Sequence, residues 1–252
     1  MKKYYINRLF KMSTDLIENF NNDSEFLQKL KITTNVFLKT NGFIVDEPDF
    51  NKFSSKEFVD WVEKKNSIDS ELIRGMEKVK LEVNFRSLLS DVYTERKKPQ
   101  NKILVFFLSV YGEKTIGIDN IKNIIGLMLL MDCKELLIIS PKELSPKSKE
   151  YINSNSISEE DNYTITNYTD SNFVNVIDHC FTSEVIKVYK GKELEDFLQK
   201  HKININALPR MFTYDPLVKF YRGKSGDVFM LKRKMISGNV LLDNTIVYKR
   251  VE

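Results

Sequence analysis

Residues 103–110 read Ile-Leu-Val-Phe-Phe-Leu-Ser-Val, residues 134–140 read Lys-Glu-Leu-Leu-Ile-Ile-Ser, and residues 163–168 read Tyr-Thr-Ile-Thr-Asn-Tyr. The first two are continuous apolar runs of strand length, as in strands covered on both faces, and the third alternates. Between the first and second lies residues 116–131, a run with a broad apolar face that reads as a helix. Between the second and third, Ser145-Pro146 sets a capping hydroxyl before a proline at the first helical position. Strand–helix–strand–helix–strand order predicts an α/β layer with a partly parallel sheet. Just upstream, residues 88–93 predict a further strand, joined to residues 103–110 by the exposed, Lys/Pro-rich loop at 94–101.

Working outward towards the N-terminus, one helical signal starts near Ser13 or Thr14. A stronger one spans residues 24–40, with Phe26, Leu27, Leu30, Val36, Phe37 and Leu38 recurring at three- and four-residue steps and Gly42 placed to stop it. Phe43-Ile44-Val45 reads as a short extended piece ending at Pro48. Ser54 and Ser55 precede a short helix carrying Phe58, Val59, Trp61 and Val62, so Trp61 is expected in the core. A third helical stretch is expected over residues 70–83, weakened by Gly75.

Towards the C-terminus, residues 153–162 read as a polar joint. Residues 185–189 predict a strand and 192–201 a helix; Leu208-Pro209-Arg210 is extended, because the residue before proline avoids the α region. Asp215-Pro216 opens a short helix through Tyr221, residues 224–227 form a turn, and strands follow over 228–233 and 245–251. The expected fold class is mixed α+β: an N-terminal α/β domain with a partly parallel sheet and a small C-terminal α+β domain. The expected division is an N-terminal extension over 1–32, a domain over 33–177 and a second over 178–252.

The 252 residues are 42% hydrophobic, 29% charged and 12% aromatic, which excludes a disordered, collagenous or disulfide-scaffold chain. Two cysteines, Cys133 and Cys180, cannot build a disulfide framework or a four-thiolate zinc site. With no apolar run of membrane-spanning length and no signal-peptide pattern, a soluble intracellular protein with no membrane partner is expected. The net charge of +4 is unevenly spread: residues 178–252 hold fourteen Lys/Arg against nine Asp/Glu, a net of +5, and the rest is close to neutral. That excess permits an acidic partner or nucleic acid without proving either. A single alanine (Ala207), 22 Asn and 31 Lys against eight Arg read as AT-rich coding.

Catalytic constellations are poor. The only histidines, His179 and His201, pair with no nucleophile motif, and no Gly-rich phosphate loop occurs. His179-Cys180 lacks two further ligands, and Asp69, Glu71, Glu77 and Glu82 are spaced as a solvated helix face. The residues therefore predict a non-catalytic interaction protein with no catalytic residue, no metal and no cofactor. The alternative is a stand-alone metal-dependent nuclease-like α/β enzyme, since residues 86–140 have the element order of such domains, with Asp91 and Glu95 as its carboxylates.

Near the C-terminus an ordered string stands out: Leu208-Pro209-Arg210, then Asp215-Pro216, Lys219, Tyr221, Gly226, Val228, Arg233, and finally Tyr248, Arg250 and Val251. It resembles the L-P-[RK]-I, D-P-V-A-[RK]-[YF], G-[DQ]-V and Y-R-[LV]-V series of the shared jaw-and-assembly (fifth) subunit of eukaryotic-type DNA-directed RNA polymerases, whose C-terminal domain has a small counterpart in archaeal RNA polymerase. Val228 is read as opening a strand whose edge docks a partner. A weaker likeness runs back to about residue 33, through Asn35 to Val45, the pair Phe106-Phe107, Gly117-Ile118 and Ser145-Pro146.

The resemblance implies a non-catalytic polymerase subunit that docks on the largest subunit through residues 178–252. The partner-binding candidates are Pro209, Arg210, Asp215, Pro216, Lys219, Tyr221, Gly226, Val228, Arg233, Tyr248 and Arg250. It also implies a jaw beside downstream double-stranded DNA, held by non-specific phosphate contacts for which Arg96, Lys97 and Lys98 are candidates. Three departures stand out: His179 to Val185 keeps one of two usual histidines, Arg222 stands where the family has Gly, and about five extra residues lie between Gly238 and Tyr248. Such drift with AT-rich usage points to a large cytoplasmic DNA virus, placing the protein in the virion and host cytoplasm, or in the nucleus if the source is a cellular eukaryote.

Overall fold

The computed structural model describes residues 14–67, 71–81, 83–109, 116–156, 163–178, 183–237 and 240–252. Helix α1, Thr14–Thr40, joins the two expected helical segments into one. Asn21, Asn22 and Asp23 are poor helix formers, but neither Gly nor Pro interrupts them. The boundary expected at 32/33 falls inside this helix. Its end is a Schellman turn: Gly42 sits at φ +86, its N–H donates to Lys39 O (3.2 Å), and the Phe43 N–H donates to Leu38 O (2.9 Å).

Helix α2, Ser55–Ser67, is entered through a capping box, with the Glu57 N–H donating to Ser54 Oγ (3.3 Å) and the Ser54 N–H to Glu57 Oε2 (2.8 Å). Phe58 and Val62 are buried, and Trp61 packs half-buried against Phe50. Helix α3, Glu71–Lys78, is shorter than expected and stops where Lys80 turns left-handed (φ 60), not at Gly75. Gly75 sits close against α4: a Cβ there would lie 2.8 Å from Leu127 Cδ1, so that side chain would have to shift. Residues 87–89 form a 3-10 turn in place of the first half of an expected strand.

The first sheet is β1 (Asp91–Thr94), β2 (Lys102–Phe107), β3 (Glu135–Ser140) and β4 (Thr164–Thr169), in that spatial order. β1 pairs antiparallel with β2, and β2–β3 and β3–β4 are parallel. Helices α4 (Ile118–Leu130) and α5 (Pro146–Ser156) make the crossovers, as the strand–helix alternation predicts. Period two divides the strands cleanly. Ile103, Val105, Phe107, Leu137 and Ile139 face a core under α1 and α2, while Leu104, Phe106, Leu136 and Ile138 face one under α4 and α3. Helix α6, Asp170–Asp178, is not among the elements that the sequence pattern predicts. Asp170 in its first turn pairs in bidentate fashion with Arg86, which also donates to Leu108 O (2.7 Å).

The second sheet has the order β5 (Ser183–Tyr189), β7 (Val228–Ser237), β8 (Val240–Val251), β6 (Arg210–Met211). Helix α7, Gly191–His201, lays Phe197 against Tyr189 and Tyr248. Helix α8, Pro216–Phe220, packs Val218 onto Phe229 and Leu231. The fold is mixed α+β, with two mixed sheets. Among the described residues no helix is long and apolar enough to cross a membrane.

Candidate functional site

The C-terminal string folds into a knot of backbone bonds. The Arg250 N–H donates to Pro209 O (2.9 Å), Glu252 N–H to Met211 O (2.8 Å), Val251 N–H to Asp227 O (2.8 Å) and Gly226 N–H to Val251 O (2.9 Å). β6 pairs in parallel with the last residues of β8, placing Arg210 beside Arg250. Side chains reinforce it: Arg210 Nε lies 3.0 Å from Glu252 Oε2, and Arg250 Nη1 donates to Asn206 Oδ1 (2.8 Å). Gly226 takes φ +93 with open space where a Cβ would be, so glycine is there for its backbone alone. Pro209, Arg210, Gly226, Val228 and Arg250 are thus brought together from three separate stretches.

The second group sits on α8. Asp215 caps it, accepting from the Leu217 N–H (2.8 Å), with Pro216 at the first helical position. This helix faces the first sheet: Tyr168 Oη donates to Pro216 O (3.2 Å), Asn41 Nδ2 donates to Phe220 O (3.0 Å), and Phe220 packs against Phe37 and Phe173. Burial pushes the Tyr168 phenol well above its usual pKa. Burial, with Lys149 nearby, pulls the Lys219 ammonium down. Tyr221 stacks edge-on to Phe229, and its carbonyl accepts from Lys190 Nζ (3.2 Å).

Two expected members lie apart from the knot. Tyr248 is under α7 against Phe197, and Arg233 lies further along β7, opposite Ser183 and Thr245. The expectation that Val228 opens a strand whose edge docks a partner is corrected: over residues 228–233 β7 is paired with β5 on one side and β8 on the other, so it has no free edge there. Strand order depends on pairings between distant segments, which the local pattern at Val228 does not contain. Arg96, Lys97 and Lys98 are exposed in the β1–β2 connection, where the Arg96 N–H donates to Gly42 O (2.9 Å).

Sequence reasoning missed two features. Phe212 and Tyr214, between β6 and α8, are 50% and 67% exposed with rings stacked at 5.0 Å; two aromatics flanking a threonine just before Asp215-Pro216 were the available signal. Arg222, noted only as a departure, bridges to Glu135 of the first sheet. Residues 179–182 of the altered histidine segment lie outside the described residues. For the nuclease alternative, Asp91 pairs with Lys65 and Glu95 accepts from Asn101 Nδ2 (2.9 Å). No group of three His, Cys, Asp or Glu side chains is placed to hold a metal among the described residues.

Residues 174–251 match the family model described as RNA polymerase Rpb5, C-terminal domain. A subunit of DNA-directed RNA polymerases I, II and III (rpabc1) from Dictyostelium discoideum is 24% identical over 149 residues, 59% of this chain and 73% of that protein. DNA-directed RNA polymerase subunit Rpo5 of Methanocaldococcus jannaschii is 31% identical over 76 residues, 30% of this chain and 96% of its own length. Rpo5 of Thermococcus kodakarensis is 37% identical over 60 residues, 24% of this chain and 72% of that protein. A C-terminal module matched over nearly the whole of an archaeal relative, together with the knot its motif builds, places this chain in the Rpb5 family of RNA polymerase subunits.

Proposed function

We propose that this chain is a non-catalytic subunit of a multisubunit DNA-dependent RNA polymerase. It docks on the largest subunit through residues 178–252 and contributes the first-sheet domain, residues 33–177 together with the rest of α1, to the jaw beside downstream double-stranded DNA. The observation that carries this reading is the knot of β6, β8 and the Gly226 turn, which fixes the motif residues and holds the exposed Phe212–Tyr214 pair beside them. A pre-ordered surface with stacked aromatic anchors binds a partner at little entropic cost. The jaw meets DNA through phosphates, with Arg96, Lys97 and Lys98 as its cations. The protein works where its polymerase does: in the nucleus for a cellular eukaryote, or in the virion and host cytoplasm for a large DNA virus.

Affinity capture of the tagged full chain tests this. The largest polymerase subunit is expected to co-purify, and to be lost when Phe212 and Tyr214 are both changed to Ala or when the chain is cut after Asp243. Retention by both altered chains, or absence of large subunits from the intact one, overturns the docking assignment.

A further inference from the structure

The first sheet ends at β4, and among the described residues nothing pairs with its outer edge. The Thr164 N–H donates to Lys134 O (3.1 Å), so by period two the N–H and C=O of Ile165 and Asn167 point away from β3. This edge forms the floor of an open cleft of about 580 Å3 between the two sheets. One wall is Ile152 and Asn153 of α5; the other is Lys219, Arg222 and Lys224.

The charges in the cleft do not balance. Arg222 is held by Glu135 (2.6 Å), and nearby Lys149 by Glu143 (2.5 Å). Among the described residues no carboxylate lies within 4.0 Å of the Lys219 or Lys224 ammonium. Burial already disfavours the Lys219 charge, so an arriving anion would be bound with gain.

We propose that this cleft binds an extended acidic segment of a partner protein, which adds as a strand to the β4 edge and presents carboxylates at alternate positions to Lys219 and Lys224. The edge offers donors and acceptors in turn, which a peptide backbone satisfies; nucleic-acid phosphates only accept. The four lining residues of β4, 164–167, extend over roughly 13 Å, room for a four- or five-residue strand. The chain's own first twelve residues hold Lys2, Lys3, Arg8 and Lys11 and no acid, so they are the wrong occupant. The proposal does not depend on assembly into a polymerase.

Fluorescence anisotropy on the full chain tests it, with labelled peptides of sequence TEVEVET and TKVKVKT. The acidic peptide is expected to bind and the basic one not. Lys219→Glu and the exposed Lys224→Glu should each weaken binding about tenfold or more. Asn167→Pro should weaken it too, because it removes an outward donor and leaves the β3 ladder intact. Melting curves confirm that each variant is folded, and Lys224→Glu, on an exposed turn, keeps the test decisive if Lys219→Glu does not fold. Equal binding of both peptides, indifference to Lys224→Glu and Asn167→Pro, or displacement by a DNA duplex acting through the same lysines overturns the proposal. So does binding of neither peptide.

Discussion

Arg222 and Glu135 tie the two sheets together: Nη2 lies 2.6 Å from Oε2 and Nη1 3.3 Å from Oε1. The guanidinium also stands over the rings of Phe43 (5.2 Å) and Phe37 (5.7 Å) from the first core. Arg222 does this from a left-handed backbone, φ +50, where a non-glycine residue costs about 1–2 kcal/mol. A glycine here would avoid that cost; this chain accepts it together with a contact between the sheets. Such a contact offsets the backbone cost because the pair is half-buried and stacked on aromatic faces.

Substitution at 222 should therefore follow an unusual order. Arg222→Ala keeps the strained backbone and loses the pair, leaving a mostly buried Glu135 carboxylate, and should cost about 1–3 kcal/mol. Arg222→Gly loses the same contacts but recovers about 1 kcal/mol of backbone strain. Urea unfolding of both variants, alone and with Glu135→Gln, checks this. Equal stability of the Ala and Gly variants would remove the backbone argument, and additivity with Glu135→Gln would remove the pair.

The two glycines of the same region separate conformation from space. Gly226 (φ +93) has nothing within 4 Å of where a Cβ would stand, whereas at Gly223 a Cβ would meet Phe229 at 2.8 Å and Val218 at 2.9 Å. Asn, which tolerates the left-handed region, should be accepted at 226, and Val there should cost about 1–3 kcal/mol. At 223 even Ala should cost about 1–3 kcal/mol through overpacking. Asp215→Ala, removing the α8 cap, should cost about 1 kcal/mol. Thermal melts read all of these, and a benign Gly223→Ala alongside a harmful Gly226→Asn would reverse the assignment.

How far the sequence announced this structure varies with the range of the interactions involved. The apolar runs of β2 and β3 and the Ser145-Pro146 start are local signals, and all three elements stand where they were expected. The Gly42 stop and the Asp215-Pro216 cap are equally local. Helix α6 was hidden because Phe173, Val174 and Val176 are spaced ambiguously between strand and helix, and its seat on α1 and α8 decides the matter. Likewise nothing near Val228 records that β7 is central, and nothing near Arg222 records that Glu135, 87 positions away, will face it.

Beneath α1 and α2 lies a charge cluster that the helix pattern did not foretell. Lys31 is fully buried, 2.8 Å from Glu47 Oε1 and 2.5 Å from Tyr93 Oη, with Lys65 bridging Glu47 and Asp91. Burial pulls the Lys31 ammonium down and pushes the Tyr93 phenol far up. Lys31→Met alone should cost about 3–5 kcal/mol, because it removes the closest cation from the buried Glu47 carboxylate and leaves it only the Tyr93 Oη bond (2.9 Å) and Lys65 at 3.7 Å. Lys31→Met with Glu47→Leu should recover most of that loss. A double variant no more stable than the single one contradicts this account.

Cys133 is 2% exposed, and burial pushes its thiol up to about 12, with Asp132 adding to the rise and Lys102 opposing it. Since only the thiolate reacts, Cys133 should be inert near neutral pH. In a Cys180→Ser chain, iodoacetamide at pH 8 should leave the native protein unlabelled and label it once urea unfolds it. Labelling of the native chain that rises through pH 8–9 would mean an ordinary, accessible thiol.

The exposed cations of the β1–β2 connection give the proposed jaw a measurable signature. If Arg96, Lys97 and Lys98 each neutralise a phosphate of downstream DNA, each releases a condensed counterion on binding. The slope of log affinity against log salt then changes by about 0.9 per residue. Replacing all three with Ala in the assembled polymerase should flatten that slope by roughly 2.7 and weaken DNA binding alike for every downstream sequence. Filter binding or anisotropy across a salt series reads both quantities. The backbone of this connection is pinned by the Arg96 N–H to Gly42 O bond and the Asn101 N–H to Lys98 O bond (2.8 Å), so side-chain truncation leaves its path intact. An unchanged slope would assign the three residues to solvent and send the search for the jaw's DNA contact elsewhere on the chain.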